Sequence, residues 1–185
     1  WLFATLGKLE AHPKTKEYYL TDIIGEAVSK GEKVVGILEE PPQQFFSVNS
    51  RDQLSVVEEC MRSTLIQKWM HKGVTFVDPR HVYVDSEVLI GADTVIHPQV
   101  YLHGKTRIGK NCVIECGSVL KNMKVENGVH IKPYCVMEES VIESEAQVGP
   151  FARLRPESVV GRRARVGNFV ELKKTKMGPG AKANH

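Results

Sequence analysis

Two basic side chains and one histidine in the last third of the sequence have the chemistry to bind an anion and to move a proton. Arg155 stands in "RLRP", Lys173 stands in "ELKK", and His185 is the last residue given. Guanidinium and ammonium groups hold phosphates by charge-assisted hydrogen bonds, and histidine titrates near neutral pH, as a general base must. The alternative interpretation is a solvated basic surface followed by a flexible tail.

Length and composition exclude several classes of function. The 185 residues suffice for one domain or one and a half small ones, and the 25 basic and 22 acidic residues are interspersed. The net charge of +3 therefore argues against nucleic acid or a membrane surface as a partner. No apolar run approaches 18 residues, and the four cysteines match no zinc pattern, so we expect reduced, packed cysteines in a cytoplasmic protein.

The first 73 residues are predicted to form an α/β segment and a connecting helix. In residues 1–50, "WLFATLGKLEAH" and "LTDIIGEAVSKG" have helical spacing, and "KVVGILEE" is typical of a short strand. In residues 51–73, apolar side chains recur every three or four positions before Gly73, which predicts an amphipathic helix that ends there. The apolar positions of this helix are Leu54, Val57, Met61, Leu65 and Trp69.

Residues 74–185 follow a six-residue repeat, which predicts short flat strands joined by tight corners around a three-sided prism. The repeat slips by one residue after Leu120, Met137 and Leu172 and then resumes. Its aliphatic positions are Val84, Ile90, Ile96, Leu102, Ile108, Ile114, Leu120, Val125, Ile131, Met137, Ile142, Val148, Leu154, Val160, Val166, Leu172, Met177 and Ala183. Small or modest side chains stand two residues before most of these, at Thr94, Val100, Thr106, Cys112, Ser118, Cys135, Ala146, Ala152, Ser158 and Ala164.

The prism places the candidate residues relative to one another. Three sides make a coil of eighteen residues, so Arg155 and Lys173 are expected on the same side in adjacent layers, about 4.8 Å apart. His185 is twelve residues further on, two sides around, and cannot share that face. It would reach an anion held there across a corner loop or from another subunit, and a trimer is the natural expectation because the interior of the prism is filled.

Six stretches, in order and spread over almost the whole chain, carry a resemblance to a known family. They are "KEYYLTDII", "SVNSRDQLS", "GVTFVDP", "GPFARLRP", "VGNFVELKK" and "GAKANH". They resemble bacterial N-acetylglucosamine-1-phosphate uridyltransferase/glucosamine-1-phosphate acetyltransferase. The resemblance implies the end of an α/β nucleotidyltransferase domain (1–50), a connector helix (51–73) and the first part of a left-handed parallel β-helix (74–185) that forms a homotrimer. The left hand comes from the resemblance, since most crossovers between parallel strands are right-handed.

The resemblance also implies an activity for the whole protein. Such an enzyme acetylates glucosamine 1-phosphate with acetyl-CoA, then transfers uridyl from UTP with Mg²⁺, giving UDP-N-acetylglucosamine for peptidoglycan and lipopolysaccharide. Arg155 and Lys173 take the positions of its phosphate and sugar contacts, and His185 takes that of its general base. Asn49, in "VNSR", takes the position of a magnesium ligand that faces the sugar nucleotide, although Ser50 departs from the family's "VN(N/D)R".

Two expectations limit this interpretation. The family's glycine-rich phosphate loop and its acidic magnesium ligand have no counterpart here, so we expect a piece of a longer enzyme that is inactive by itself. Asn49 has a second interpretation as a residue that turns the chain before the helix. The alternative for the whole chain is a hexapeptide-repeat scaffold, or a trimerisation or regulatory domain of another sugar-phosphate nucleotidyltransferase.

Overall fold

The computed structural model describes residues 1–38 and 46–184. The chain divides into two compact units, Trp1–Phe46 and Ser47–His185. His185, the candidate general base, lies outside the described residues.

The first unit contains two short helices, α1 (Leu2–Leu6) and α2 (Asp22–Ser29), which confirms the two helical patterns. The strand predicted from Lys33 is wrong for the described residues 33–38, which have no regular secondary structure. A strand needs a neighbour to pair its backbone groups, and the described part of this unit has no other strand. The side chains of Ile37 and Leu38 are accordingly 84% and 87% exposed.

The second unit begins with helix α3 (Arg51–Met70), whose start is fixed by a hydrogen bond outside the helix. The backbone N–H of Asn49 donates to Oε1 of Gln53 at 2.8 Å. Asn49 directly precedes the N-cap, Ser50, so this bond ties the chain before the helix to the first helical turn. The contact differs by one residue from a capping box, in which the N-cap itself donates. The start of the helix thus follows from a local polar pattern.

The end of α3 is set by Gly73, as the sequence predicts. Gly73 adopts φ +84°, a left-handed conformation that suits glycine, and its N–H donates to the carbonyl oxygen of Met70 at 3.0 Å. The predicted apolar stripe is buried in the second half of the helix alone. Trp69 and its neighbour Ile66 are buried, whereas Leu54 and Met61 are 44% and 54% exposed, because the helix packs on the prism near its C-terminal half.

Residues 75–183 form the predicted prism of parallel strands, with one 3₁₀ helix at Pro79–His81. Each strand pairs with the strand three positions along the chain, so three flat sheets result. Sheet A holds β1 (Thr75–Phe76), β4 (Val95–Ile96), β7 (Val113–Ile114), β10 (His130–Ile131), β13 (Gln147–Val148), β16 (Arg165–Val166) and β19 (Lys182–Ala183). Sheet B holds β2 (Tyr83–Val84), β5 (Tyr101–His103), β8 (Val119–Lys121), β11 (Val136–Glu138), β14 (Arg153–Leu154) and β17 (Glu171–Leu172). Sheet C holds β3 (Leu89–Ile90), β6 (Arg107–Ile108), β9 (Lys124–Val125), β12 (Val141–Ile142), β15 (Val159–Val160) and β18 (Lys176–Met177).

The interior of the prism confirms the predicted repeat residue by residue. Each aliphatic position from Val84 to Leu172 is buried, while Met177 and Ala183 are half-buried. The small positions between them are buried as well, and Thr94 Oγ1 donates to the carbonyl oxygen of Gly109 at 2.9 Å. Oγ of Ser158, at another small position, has no hydrogen-bond partner among the described residues. A filled interior means that any ligand of this unit binds on its outside.

The three slips of the repeat all fall at the corner that leads from sheet B to sheet C, here called the B–C corner. Strands β8, β11 and β17 are followed there by a turn one residue shorter than elsewhere. Each shortened turn has a non-glycine residue with positive φ, at Asn122, Glu139 and Lys174. The corner therefore varies in length while the inward-facing pattern is kept.

The two cysteines at small positions of the repeat are packed as predicted, whereas Cys60 and Cys116 are only partly buried. All four cysteines are free, and Cys112 and Cys135 are buried at the small inward positions. Burial raises the pKa of both thiols, since a thiolate loses hydration there. In the described ranges no helix has the length and apolar character to cross a membrane.

Candidate functional site

Arg155 is held at the B–C corner directly after strand β14. Its backbone N–H donates to the carbonyl oxygen of Leu172 in the next coil at 2.9 Å. Its own carbonyl oxygen accepts from Oγ of Ser140, in the coil before, at 2.8 Å. Ser140 is buried, so both neighbouring coils fix the main chain from which the guanidinium projects.

The guanidinium of Arg155 is oriented by a carboxylate of the neighbouring coil. Nη1 lies 3.4 Å from Oε1 of Glu171, and the two side chains are 40% and 50% exposed. A pair so exposed contributes little to stability. It does restrain the guanidinium, which has five N–H donors and keeps several of them for a ligand arriving from solvent.

Lys173 occupies the same corner one coil further along. Leu154 and Leu172 are paired in register, so the residues that follow them, Arg155 and Lys173, stack about 4.8 Å apart. This confirms the placement that the eighteen-residue spacing predicts. The corner thus offers two adjacent cations to a phosphate dianion, of which Arg155 is partly compensated by Glu171.

The second lysine of "ELKK" is engaged differently from the first. Lys174 has φ +50°, and its Nζ lies 3.7 Å from Oε1 of Glu157. Lys173 is exposed and forms no ion pair with any carboxylate that the structure describes. The geometry thus leaves Lys173 as the free ammonium of the two.

An acidic residue bounds the site on the other side. Glu138 follows Met137, which pairs in register with Leu154, so Glu138 stands at the B–C corner one coil before Arg155. A carboxylate there repels an anion, whereas Lys173 attracts one. An anionic ligand is therefore favoured between Arg155 and Lys173 rather than on the other side of Arg155.

The end of the described chain lies on a different side of the prism. Strand β19 (Lys182–Ala183) belongs to sheet A and pairs with β16 (Arg165–Val166). Arg155 and Lys173 lie between sheets B and C. The six-residue spacing predicts that the last residues lie on another side of the prism from Arg155 and Lys173, and the structure confirms this as far as Asn184. The role of His185 stays a prediction.

Asn49 does not form a magnesium site with the described residues. Its backbone N–H is bonded to Gln53, and its Nδ2 lies 3.5 Å from Oγ of Ser47, so it turns the chain before α3. Within residues 1–38 and 46–184 no group of three His, Cys, Asp or Glu side chains could hold a metal ion. A single amide oxygen is a weak ligand for Mg²⁺, which prefers carboxylates and water, so these residues do not fit the metal alone.

Three side chains around Arg155 and Lys173 escaped the sequence analysis. They are Ser140, Glu157 and Glu171. One signal was available for Glu171, since it is eighteen residues after Arg153 and must lie beside that strand position in the next coil. Ser140 carried a signal as well, since it stands two residues before Ile142, at the small inward position of the repeat.

The fold and the repeat define a parallel β-helix protein of the hexapeptide-repeat class. Residues 80–183, more than half of the chain, match the family described as GMPPB C-terminal domain, and the chain belongs to that family. Its description names a domain and no reaction.

Longer relatives confirm the resemblance over this whole chain. The chain is 41% identical over 178 residues to the bifunctional protein GlmU of Thermodesulfovibrio yellowstonii, covering 96% of this chain and 39% of that protein. It is 43% identical over 184 residues to the bifunctional protein GlmU of Brevibacillus brevis, covering 100% of this chain and 40% of that protein. The chain spans about two fifths of the length of these relatives.

A solved structure shares the fold. It is a histidine-to-alanine variant of GDP-perosamine N-acetyl transferase from Caulobacter crescentus, in complex with CoA and GDP-perosamine. The TM-score is 0.57 at 17% identity, with 88% of this chain and 87% of the other covered. At that identity the likeness establishes the architecture and nothing about the ligand.

Proposed function

We propose that the whole protein to which this chain belongs is a bifunctional enzyme of UDP-N-acetylglucosamine synthesis. It transfers acetyl from acetyl-CoA to glucosamine 1-phosphate, and then uridyl from UTP to N-acetylglucosamine 1-phosphate. The observation that carries the proposal is the stacking of Arg155 and Lys173 on one corner of consecutive coils. The relatives named bifunctional protein GlmU support it, since they match the chain along its full length.

The corner supplies the binding half of acetyl transfer. Arg155 and Lys173 hold the phosphate, and the fixed main chain of Arg155 keeps the sugar in one orientation. Orienting a substrate in this way removes much of the entropic barrier to reaction.

The chemical half needs a base for the sugar amine. In the proposed step the neutral amine attacks the thioester carbonyl, a C–N bond forms, the C–S bond breaks, and coenzyme A leaves as its thiol. One ammonium proton must be removed as the tetrahedral centre forms, and His185 is the proposed acceptor, which then passes a proton to the leaving thiolate.

The uridyl transfer is assigned to parts of the whole protein beyond this prism. We propose that Asn49 contributes one oxygen to a magnesium ion whose carboxylate ligand lies outside this chain. The described residues do not fit that metal alone.

A homotrimer is proposed from an apolar edge of the prism. Tyr134, Phe151 and Phe169 stack along the corner between sheets A and B, with ring centroids 5.3 Å apart at each step. The three residues are 49%, 48% and 71% exposed. Stacked exposed rings of this kind are typical of protein interfaces, and a second copy of the prism would cover them.

The described free cysteines support a cytoplasmic location for the assembly.

One observation favours a second candidate function. The family that matches residues 80–183 is described as GMPPB C-terminal domain, and this description does not mention acetyl transfer. The prism would then trimerise or regulate a sugar-phosphate nucleotidyltransferase, and the Arg155–Lys173 corner would be part of a basic surface. The two candidates differ in whether the full-length protein binds coenzyme A and acetylates glucosamine 1-phosphate.

The test of the first candidate is His185→Ala in the full-length protein, with both reactions measured. Acetyl transfer is expected to fall by about 10²- to 10⁴-fold, as for a lost general base. Uridyl transfer is expected to stay unchanged and serves as the internal control for folding. Full retention of acetyl transfer in the variant, or no acetyl transfer in the parent enzyme, would reject the proposal.

A further inference from the structure

The charge of the chain is concentrated in its last described coils. Residues 151–184 contain nine lysines and arginines and two glutamates, whereas residues 1–150 contain 16 basic and 20 acidic side chains. The small overall charge of +3 thus hides a negative part followed by a strongly positive one. We call the β-helix segment 151–184 the cationic collar.

The collar is charged on almost every side. Its basic side chains lie on sheet A, sheet B, sheet C, the B–C corner and the corner between sheets C and A: Arg153, Arg155, Arg162, Arg163, Arg165, Lys173, Lys174, Lys176 and Lys182. The corner between sheets A and B carries the exposed rings of Phe151 and Phe169 instead.

Some of these cations are neutralised within the prism. Arg162 Nη2 and Arg163 Nε lie 2.8 and 2.6 Å from the two carboxylate oxygens of Glu145. Such pairs between neighbouring coils also hold Arg155 and Lys174. These pairs compensate part of the positive charge of the collar.

Arg165 and Lys182 break this pattern on sheet A. They are paired in register on neighbouring strands, both exposed, and neither forms an ion pair with a carboxylate that the structure describes. Like charges on neighbouring strands about 4.8 Å apart repel each other, which costs stability unless an anion approaches. The field of the collar therefore extends into solvent beyond the B–C corner.

We infer that the cationic collar attracts the phosphorylated substrates of the proposed acetyl transfer and speeds their association. The inference rests on the proposed function and adds to it a role for residues outside the Arg155–Lys173 corner. Coenzyme A thioesters and hexosamine phosphates are multiply charged anions, and summed surface charge raises association rates of such ligands by about 10- to 10³-fold. Charges spread around a narrow prism suit small anions, whereas a nucleic acid needs a continuous basic track along one face.

The experiment measures association of a fluorophore-labelled coenzyme A with the full-length protein by stopped flow, at rising salt. The collar variant carries Arg165→Glu and Lys182→Glu. The matched control carries Arg107→Glu and Lys124→Glu, an in-register exposed basic pair on sheet C outside the collar. Both variants change the net charge equally, so they separate the position of the charge from its total.

The expected parent rate constant falls at least about tenfold between about 20 and 500 mM salt, because screening shortens the reach of the field. The collar variant is expected to associate several-fold more slowly at low salt and to lose most of the salt dependence, while the control stays within about twofold of the parent. If either charge-reversed variant has a lower melting temperature than the parent, the same positions are changed to glutamine instead.

If both variants associate with coenzyme A equally slowly, or if the rate constant of the parent is independent of salt, the proposed role of the collar is wrong. The proposed acetyl transfer would not be affected by either result. Absence of coenzyme A binding by the parent at any salt would overturn the proposed function and the collar together.

Discussion

Arg155 and Glu171 face each other across two consecutive coils, with Nη1 of the guanidinium 3.4 Å from Oε1 of the carboxylate. The contact links strand β14 to strand β17 at the point where Lys173 follows in the same corner. The contact with Glu171 restrains the Arg155 guanidinium next to Lys173, which has no described ion-pair partner. This corner is the candidate site.

Arg155→Ala in the full-length protein is expected to raise the KM for glucosamine 1-phosphate about 10- to 100-fold. This is the factor for losing one hydrogen bond to a charged group, about 1.5 to 3 kcal/mol. Arg153→Ala is the control, because Arg153 is exposed on sheet B, in strand β14 just before the corner, and is expected to change KM less than about twofold. Similar KM values for the two variants would contradict the assignment.

Gly161→Ala is expected to destabilise the prism. A Cβ at Gly161 would lie 2.5 Å from the carbonyl oxygen of Met177 and 2.7 Å from the carbonyl carbon of Gly178, and backbone cannot move aside cheaply. Overpacking of this kind costs about 1 to 3 kcal/mol, which lowers the melting temperature of the 185-residue chain by about 2 to 12 °C. Gly178→Ala, one coil further at the same corner, meets nothing within 4 Å and should melt like the parent. Equal melting of the two variants would show that the coils do not approach so closely.

Glu145 is expected to give the prism a dependence on acidic pH. Hydrogen bonds from Arg162 and Arg163 lower the pKa of Glu145 below its ordinary value of 4.5. Because the folded-state pKa is the lower one, the carboxylate contributes stability above pH 4.5, and this contribution is lost as the pH falls through the folded-state value. The group is exposed, so the effect is small and screened by salt.

The measurement is the melting temperature of the parent and of Glu145→Gln against pH at low salt. The parent should melt higher at neutral pH, and the two curves should converge on the acid side. Glu87→Gln, which removes an exposed carboxylate outside the described ion pairs, should run parallel to the parent. A constant difference between parent and Glu145→Gln across the acid range would contradict the role of the carboxylate.

The repeat made most of the fold predictable from sequence. One aliphatic residue per side is the whole requirement for filling a narrow prism, so the eighteen positions from Val84 to Ala183 identify nearly every strand. The stacking of Arg155 and Lys173 follows from the same arithmetic. The strand expected from Lys33 failed because a strand depends on a partner, which a single run of apolar residues does not specify.

The site itself was less predictable than its position. The repeat places Ser140 and Glu171 near Arg155, but the hydrogen bonds that they form with it, across 15 and 16 residues, depend on side-chain directions that the repeat does not specify. The spacing from Arg155 selects Lys173 over Lys174, but it does not show which of the two lysines has a carboxylate partner. They separate once the turn gives Lys174 positive φ and turns its side chain toward Glu157.

The most direct test of the central claim is a double-mutant cycle on the full-length protein, with glucosamine 1-phosphate binding measured by calorimetry for Arg155→Ala, Lys173→Ala and the double variant. If both cations hold one phosphate, each single change weakens binding and the two are coupled by about 0.5 to 3 kcal/mol. Lys174→Ala, whose ammonium faces Glu157, should bind like the parent. Strictly additive effects of Arg155→Ala and Lys173→Ala, or unchanged affinity in the double variant, would contradict a shared phosphate site at this corner.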